Sequence, residues 1–133
     1  MITVYNNIIP FKGYSALTIW PFLFIRKDEK ATAKLLRHEL THAYQQREMF
    51  FVAAGFMAVS LVLGCGWWSL LWLPLFYWWY LMEWIVKLCI YGNARTAYKN
   101  IAFEREAKKN ENNINYNKER CSFAWVGYIT GDK

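Results

Sequence analysis

Hydrophobic and polar positions follow three different rhythms along this chain. Residues 1–27 carry short apolar runs. Residues 2–5 and 16–25 are rich in β-branched and aromatic side chains, and Pro10 and Lys12-Gly13 between them are turn signals. This pattern predicts a small N-terminal β element. Pro21 lies inside the second run, which puts that strand at a sheet edge or on a bulge. Asp28-Glu29-Lys30 then opens a helix, with acidic residues where the helix dipole favours them. No Gly or Pro interrupts residues 31–49, and Leu35, His38, His42, Gln45 and Met49 recur at three- and four-residue spacing, so they share one helix face.

The second rhythm is unbroken apolarity. From Met49 to Met82 the chain has not one charged residue. A bilayer core requires about 20 apolar residues per helical span. Gly64-Cys65-Gly66 divides the run into an arm at 49–63 and a second at 67–86, kinked at Pro74. The tryptophans of the second arm (Trp67, Trp68, Trp72, Trp78, Trp79 and Trp84) have the character of interfacial anchors. The expectation is a hydrophobic helical hairpin at about 49–86, crossing the membrane or re-entering it. The third rhythm is charged and polar: a helix over 94–111, an Asn-rich stretch, and a short amphipathic helix over 118–128. The fold class expected is α+β and mainly helical, a single domain over residues 1–133 with the hairpin as an insert.

Composition changes this picture in two ways. The mean hydropathy of +0.01 conceals the contrast between an uncharged middle and charged ends. The net charge of +6 sits on the flanks of the apolar block, with Arg26, Lys27, Lys30, Lys34 and Arg37 before it and Lys87, Arg95, Lys99, Arg105, Lys108 and Lys109 after it. That arrangement suits juxtamembrane charge, places both flanks on the cytoplasmic side, and offers no basic motif with interleaved recognition residues for nucleic acid. Cys65, Cys89 and Cys121 are odd in number and widely spaced, which argues against a disulfide framework. The N-terminus lacks the basic and apolar regions of a cleaved signal peptide.

The candidate chemistry lies in Arg37-His38-Glu39-Leu40-Thr41-His42. On a helix the two histidines stand one turn apart, so both imidazoles can reach one metal ion, while Glu39 projects beside them as a general base. The chain holds 2 histidines, and both fall in this motif. A catalytic zinc site needs a third protein ligand with one position left open. Without a third histidine or suitably spaced cysteines, that ligand is a carboxylate: Glu83, Glu104, Glu106 or Glu111.

Phe103-Glu104-Arg105-Glu106-Ala107, following Tyr98-Lys99-Asn100-Ile101, resembles the second helix of the gluzincin metallopeptidases. There the third ligand is the first Glu of a Glu-x-x-Ala-Asp type pattern. The resemblance implies Glu104 as ligand beside His38 and His42, with Glu106 as the alternative. Lys108 stands where many members have Asp, so the acid that often supports a zinc-bound histidine is missing at that position. The HExxH segment followed by Gln45-Gln46 is similar to the minigluzincins, and the hairpin between the motifs departs from them.

Three further features carry two readings each. Glu83 and Lys87, four apart, form an interfacial ion pair or support the site. Tyr98 is a packed ring or an oxyanion donor. The strand within 16–25 is structural or pairs with an extended substrate. The function expected is zinc-dependent hydrolysis of a peptide or protein substrate at or near a membrane, with the zinc site on the cytoplasmic side. The alternative is a non-catalytic membrane protein, an interaction or assembly factor whose zinc is structural or absent. A third reading is a soluble protein whose aromatic surface binds a partner.

Overall fold

The computed structural model describes residues 1–10, 14–28 and 30–130. Three strands form one sheet: β1 (Ile2–Asn6), β2 (Ala16–Ile19) and β3 (Phe22–Arg26), in the order β1-β3-β2. β1 runs parallel to β3, and β2 is antiparallel to it. The apolar run expected as one strand over 16–25 is therefore a tight hairpin turning at Trp20-Pro21. Proline cannot donate to a ladder, and here it ends one strand instead of interrupting it. Leu23 and Ile25 alternate inward with no exposed surface and pack with Ala16 against Ala31 and Leu35.

Helix α1 (Ala33–Val62, 30 residues) starts later than the charge pattern suggested. Asp28 lies in a turn, and Glu29 is outside the described residues, as are Lys12 and Gly13. The cap is Thr32, whose side chain accepts from the Leu35 amide at 3.2 Å. Of the predicted face, His42, Gln45 and Met49 are buried and Leu35 and His38 half-buried; burial reaches Ala53, after which no α1 residue is buried.

The expected transmembrane hairpin is overturned: among the described residues no helix is long and apolar enough to cross a membrane. The charge-free half of α1, Met49–Val62, rises only about 21 Å, against about 30 Å of bilayer hydrocarbon. Gly64 and Gly66 adopt positive φ of 81° and 53°, ending that arm in a turn. The second arm is not one kinked helix. Residues Gly66–Trp72 form a 3₁₀ helix, and Pro74 caps α2 (Leu75–Tyr91, 17 residues), which carries Glu83 and Lys87 on its body.

The helix expected over 94–111 is two: α3 (Ala94–Lys99), capped by Asn93, and α4 (Ala102–Asn110). The last segment is α5 (Tyr116–Glu119) and a 3₁₀ turn at Ala124–Tyr128. Phe103 sits at the centre of the larger core, stacked on Phe76 at 4.6 Å and leaning on Trp125 at 4.7 Å, with Met49, Ile101 and Ala102 around it. Burying Phe103 in this way fixes the rotation of α4, and hence the direction of its two glutamates.

Candidate metal centre

His38 and His42 leave α1 one turn apart, and Glu104 meets them from the first turn of α4. Their ligand atoms all lie within 4.8 Å of one another. His42 Nε2 is 3.2 Å from His38 Nε2 and 3.4 Å from Glu104 Oε1, and His38 Nε2 is 3.6 Å from Glu104 Oε2. Ligand atoms held tetrahedrally by one zinc ion, at about 2.0–2.1 Å each, stand about 3.3 Å apart. Both imidazole nitrogens lie within about that distance of each other and of one or the other Glu104 oxygen, so the residues present fit a zinc ion.

Electrostatics point the same way. Burial alone would lower the His42 pKa, but the Glu104 carboxylate reverses this, with help from Glu39 and Gln45, and raises it to about 9. Burial pushes the Glu104 carboxyl upward, yet the two imidazoles outweigh it and hold the group well below the usual carboxylate range. The site thus attracts positive charge strongly.

The imidazole of His42 is oriented by Gln45. Gln45 Nε2 donates to the Phe103 carbonyl at 3.1 Å and to Glu106 Oε2 at 3.0 Å, so its Oε1 is the atom that meets His42 Nδ1 at 2.8 Å. Oxygen can only accept there, so Nδ1 holds its proton, and Nε2 faces the cluster with a lone pair once its own proton is lost. For His38, Glu111 is the acid that comes near, its Oε2 3.3 Å from His38 Nδ1. The approach lies off the N–H axis, and no hydrogen bond forms. Lys108 instead pairs with Glu111 at 2.9 Å and Lys34 with it at 3.1 Å.

Glu39 is buried beside the cluster, where its Oε2 accepts from Thr18 Oγ1 at 2.7 Å. Thr18 belongs to β2, so the sheet edge holds the acid. Gln46 also reads that edge, accepting from the Trp20 amide and donating to the Thr18 carbonyl, each at 2.7 Å. A cleft of about 970 Å³ opens over these groups. Ala16 and Thr18 line one side, His38, Glu39 and His42 the floor, and Tyr80, Trp84 and Tyr98 the other wall.

Glu106 has no exposed surface and is turned away from the cluster. Tyr116 Oη donates to it at 2.9 Å, and Arg120 holds both of its oxygens. Arg120 also pairs with Glu48 of α1. Glu83 accepts the Trp79 indole N–H at 3.2 Å and the Ala102 amide at 2.9 Å, which satisfies one of the free donors in the first turn of α4. Lys87 donates to the Ile129 carbonyl at 3.2 Å.

Tyr98 lines the cleft. Burial, then the nearby Glu104 carboxylate, pushes its phenol above its ordinary value. Tyr80, which sequence reasoning did not single out, donates to Glu104 Oε1 at 2.9 Å. Burial and Glu104 likewise push its phenol far up, so it stays protonated. In the sequence Tyr80 is one of many aromatics in an apolar run and Thr18 carries no motif, whereas Gln45 already stood on the histidine face and beside the HExxH segment. No family model, curated protein or solved structure matches the chain.

Proposed function

We propose that this chain is a zinc-dependent peptidase, with His38, His42 and Glu104 as metal ligands and Glu39 as general base. The observation that carries this reading is the convergence of two imidazole nitrogens and a carboxylate, all within 4.8 Å of one another, on the floor of a cleft. Two imidazoles and a carboxylate are the donor set of catalytic zinc, and they leave one position for water or substrate.

When bound, zinc supplies Lewis-acid polarisation of a carbonyl and brings a coordinated water's pKa to near ~7. The chain's own groups do the rest. An extended peptide lies along β2, where the backbone of Ala16 and Thr18 borders the cleft and main-chain pairing needs no particular side chain. Glu39, positioned by Thr18, takes the proton of the attacking water and passes it to the departing amine nitrogen. Water thereby adds across the C–N bond to give a carboxylate and an amine. Tyr80 fixes Glu104 through its hydroxyl, and Gln45 keeps His42 in the tautomer that can bind metal.

The test is zinc content and hydrolysis of a fluorogenic peptide library, compared at matched folding. The expected result is about one zinc per chain in the wild type, lost in His42→Ala and Glu104→Gln and kept in Glu106→Gln. Glu39→Gln keeps its zinc and loses hydrolysis by about 10²–10⁴-fold. A wild type that binds no zinc overturns the reading. A wild type that binds zinc but cleaves nothing leaves a metal-binding protein in its place.

A further inference from the structure

Beyond Ala53 the hairpin turns its apolar side chains outward. Val62, Leu63, Trp67 and Trp68 are 87%, 74%, 88% and 75% exposed, and exposed Leu, Trp and Tyr residues continue along α2. Soluble monomers rarely expose a contiguous apolar patch beyond a few hundred Å². This one spans the tip of a two-armed element, so something of matching chemistry covers it.

Three observations identify the cover. First, the arm of α1 after its last buried residue, from Ala53 to Val62, rises about 13 Å, close to the depth of one leaflet (half of about 30 Å). Second, the backbone amides at the turn and two of the indoles find partners within the tip, as hydrocarbon favours. The amides of Leu63, Gly64, Cys65 and Trp68 donate to Val59, Leu61, Ser60 and Cys65. The indole N–H of Trp72 donates to Ser60 at 2.8 Å, and that of Trp78 to the Leu71 carbonyl at 3.1 Å. Third, between Glu48 and Glu104 the one acid is Glu83, against Lys87, Arg95 and Lys99. Arg95 and Lys99 are exposed at the cleft rim. A second copy of the chain would bring like charge to like, whereas an anionic surface is attracted.

We propose that the tip of the hairpin, residues 56–79, is a docking surface for an anionic lipid bilayer, entering a single leaflet without crossing it. Trp67 and Trp68 at the turn reach deepest into the leaflet, while Trp78 and Trp79 on α2 lie nearer the headgroups, where a ring with an apolar body and a polar edge is most stable. The cleft shares α2 with this surface through Phe76, Tyr77, Tyr80 and Trp84, so docking sets the cleft beside the lipid.

The test is flotation of the full chain, diluted from mild detergent, with phosphatidylcholine vesicles with and without phosphatidylglycerol. Its readout involves neither metal nor hydrolysis, so it succeeds or fails independently of the peptidase reading. The chain is expected to float with the anionic vesicles and to be released by salt. Brominated lipid should quench its tryptophan emission, and bromine deep in the acyl chains should quench through Trp67 and Trp68. Replacing both tryptophans at the turn, Trp67→Ser with Trp68→Ser, should lower partition by about tenfold or more while leaving zinc content and thermal unfolding unchanged. Three results would overturn the proposal: wild type that stays behind with both vesicle types, a dimer that forms without lipid and is lost in the double variant, or protease-accessible segments on both faces of the vesicle.

Discussion

Gln45 Oε1 lies 2.8 Å from His42 Nδ1, and both of the Gln45 amide protons are already committed to Phe103 and Glu106. One buried amide therefore sets a histidine tautomer and ties α1 to α4 across the site. Partners of this kind typically contribute 10–100-fold to metal affinity. Gln45→Met keeps the volume and removes the acceptor. It should weaken zinc binding by about that 10–100-fold and cost about 1–3 kcal/mol of stability, because the Phe103 carbonyl and Glu106 lose a donor. Competition against a chromophoric chelator, beside chemical denaturation, separates the two effects. Unchanged affinity in a folded Gln45→Met would remove Gln45 from the site.

A pH dependence follows from His42. Its pKa in the folded chain is about 9, above the ordinary 6.5. A histidine raised in this way adds stability that is fully present below pH 6.5 and lost as pH rises through 9. Zinc needs the same nitrogen unprotonated, so metal affinity runs the opposite way, climbing across this window and levelling above it. Near pH 7.5 each zinc bound should release about one proton. Titration calorimetry in two buffers of different ionisation enthalpy measures that number. A value near zero would mean that His42 is already neutral in the metal-free protein.

The parts of this site that were legible in the sequence are those fixed by local helix geometry. His38, Glu39 and His42 occupy one and a third turns of α1, so their convergence follows from the helix period alone. The choice between Glu104 and Glu106 does not. Two residues apart on a helix they point about 200° from each other, so one of them faces the histidines. Which one does is decided by Phe103 in the core and by Arg120, distant in sequence, claiming Glu106. Glu111 follows Glu104 by seven residues, two turns within about 20° of the same face, so an acid reaches His38 although Lys108 holds the expected place.

The apolar middle was equally visible, but its absence of charge does not reveal length. Gly64, Gly66 and Pro74 cut it into pieces too short to span a bilayer. The grip of Thr18 on Glu39 depends on packing between a sheet edge and a helix, which no local pattern encodes.

Glu83 is the cap of a helix it does not belong to. Ile101, the residue at the N-cap of α4, offers no side-chain acceptor, and Glu83 supplies one to the Ala102 amide from α2. Glu83→Ala should destabilise the fold by about 1–2 kcal/mol, and Glu83→Gln, which keeps an acceptor oxygen, by less. Zinc bound per folded chain should be unchanged in both. Thermal unfolding with parallel metal analysis checks this, and loss of zinc from folded Glu83→Gln would make the residue part of the site.

Arg120 holds Glu48 of α1 and Glu106 of α4 together in a buried triad. Removing the cation alone leaves two carboxylates without their counter-ion, so Arg120→Met should cost about 3–5 kcal/mol. If the penalty comes from the stranded charge and not from lost shape, removing the acids with it should reverse most of the loss. The triple variant Arg120→Met, Glu48→Gln, Glu106→Gln is then more stable than Arg120→Met alone, even though it carries more substitutions. It should also bind zinc as tightly as the wild type once folded, since Glu106 faces the triad and not the histidines. Urea denaturation across the series reads the first expectation and chelator competition the second. A triple variant no more stable than the single one would place the contribution of Arg120 in packing between the two site helices.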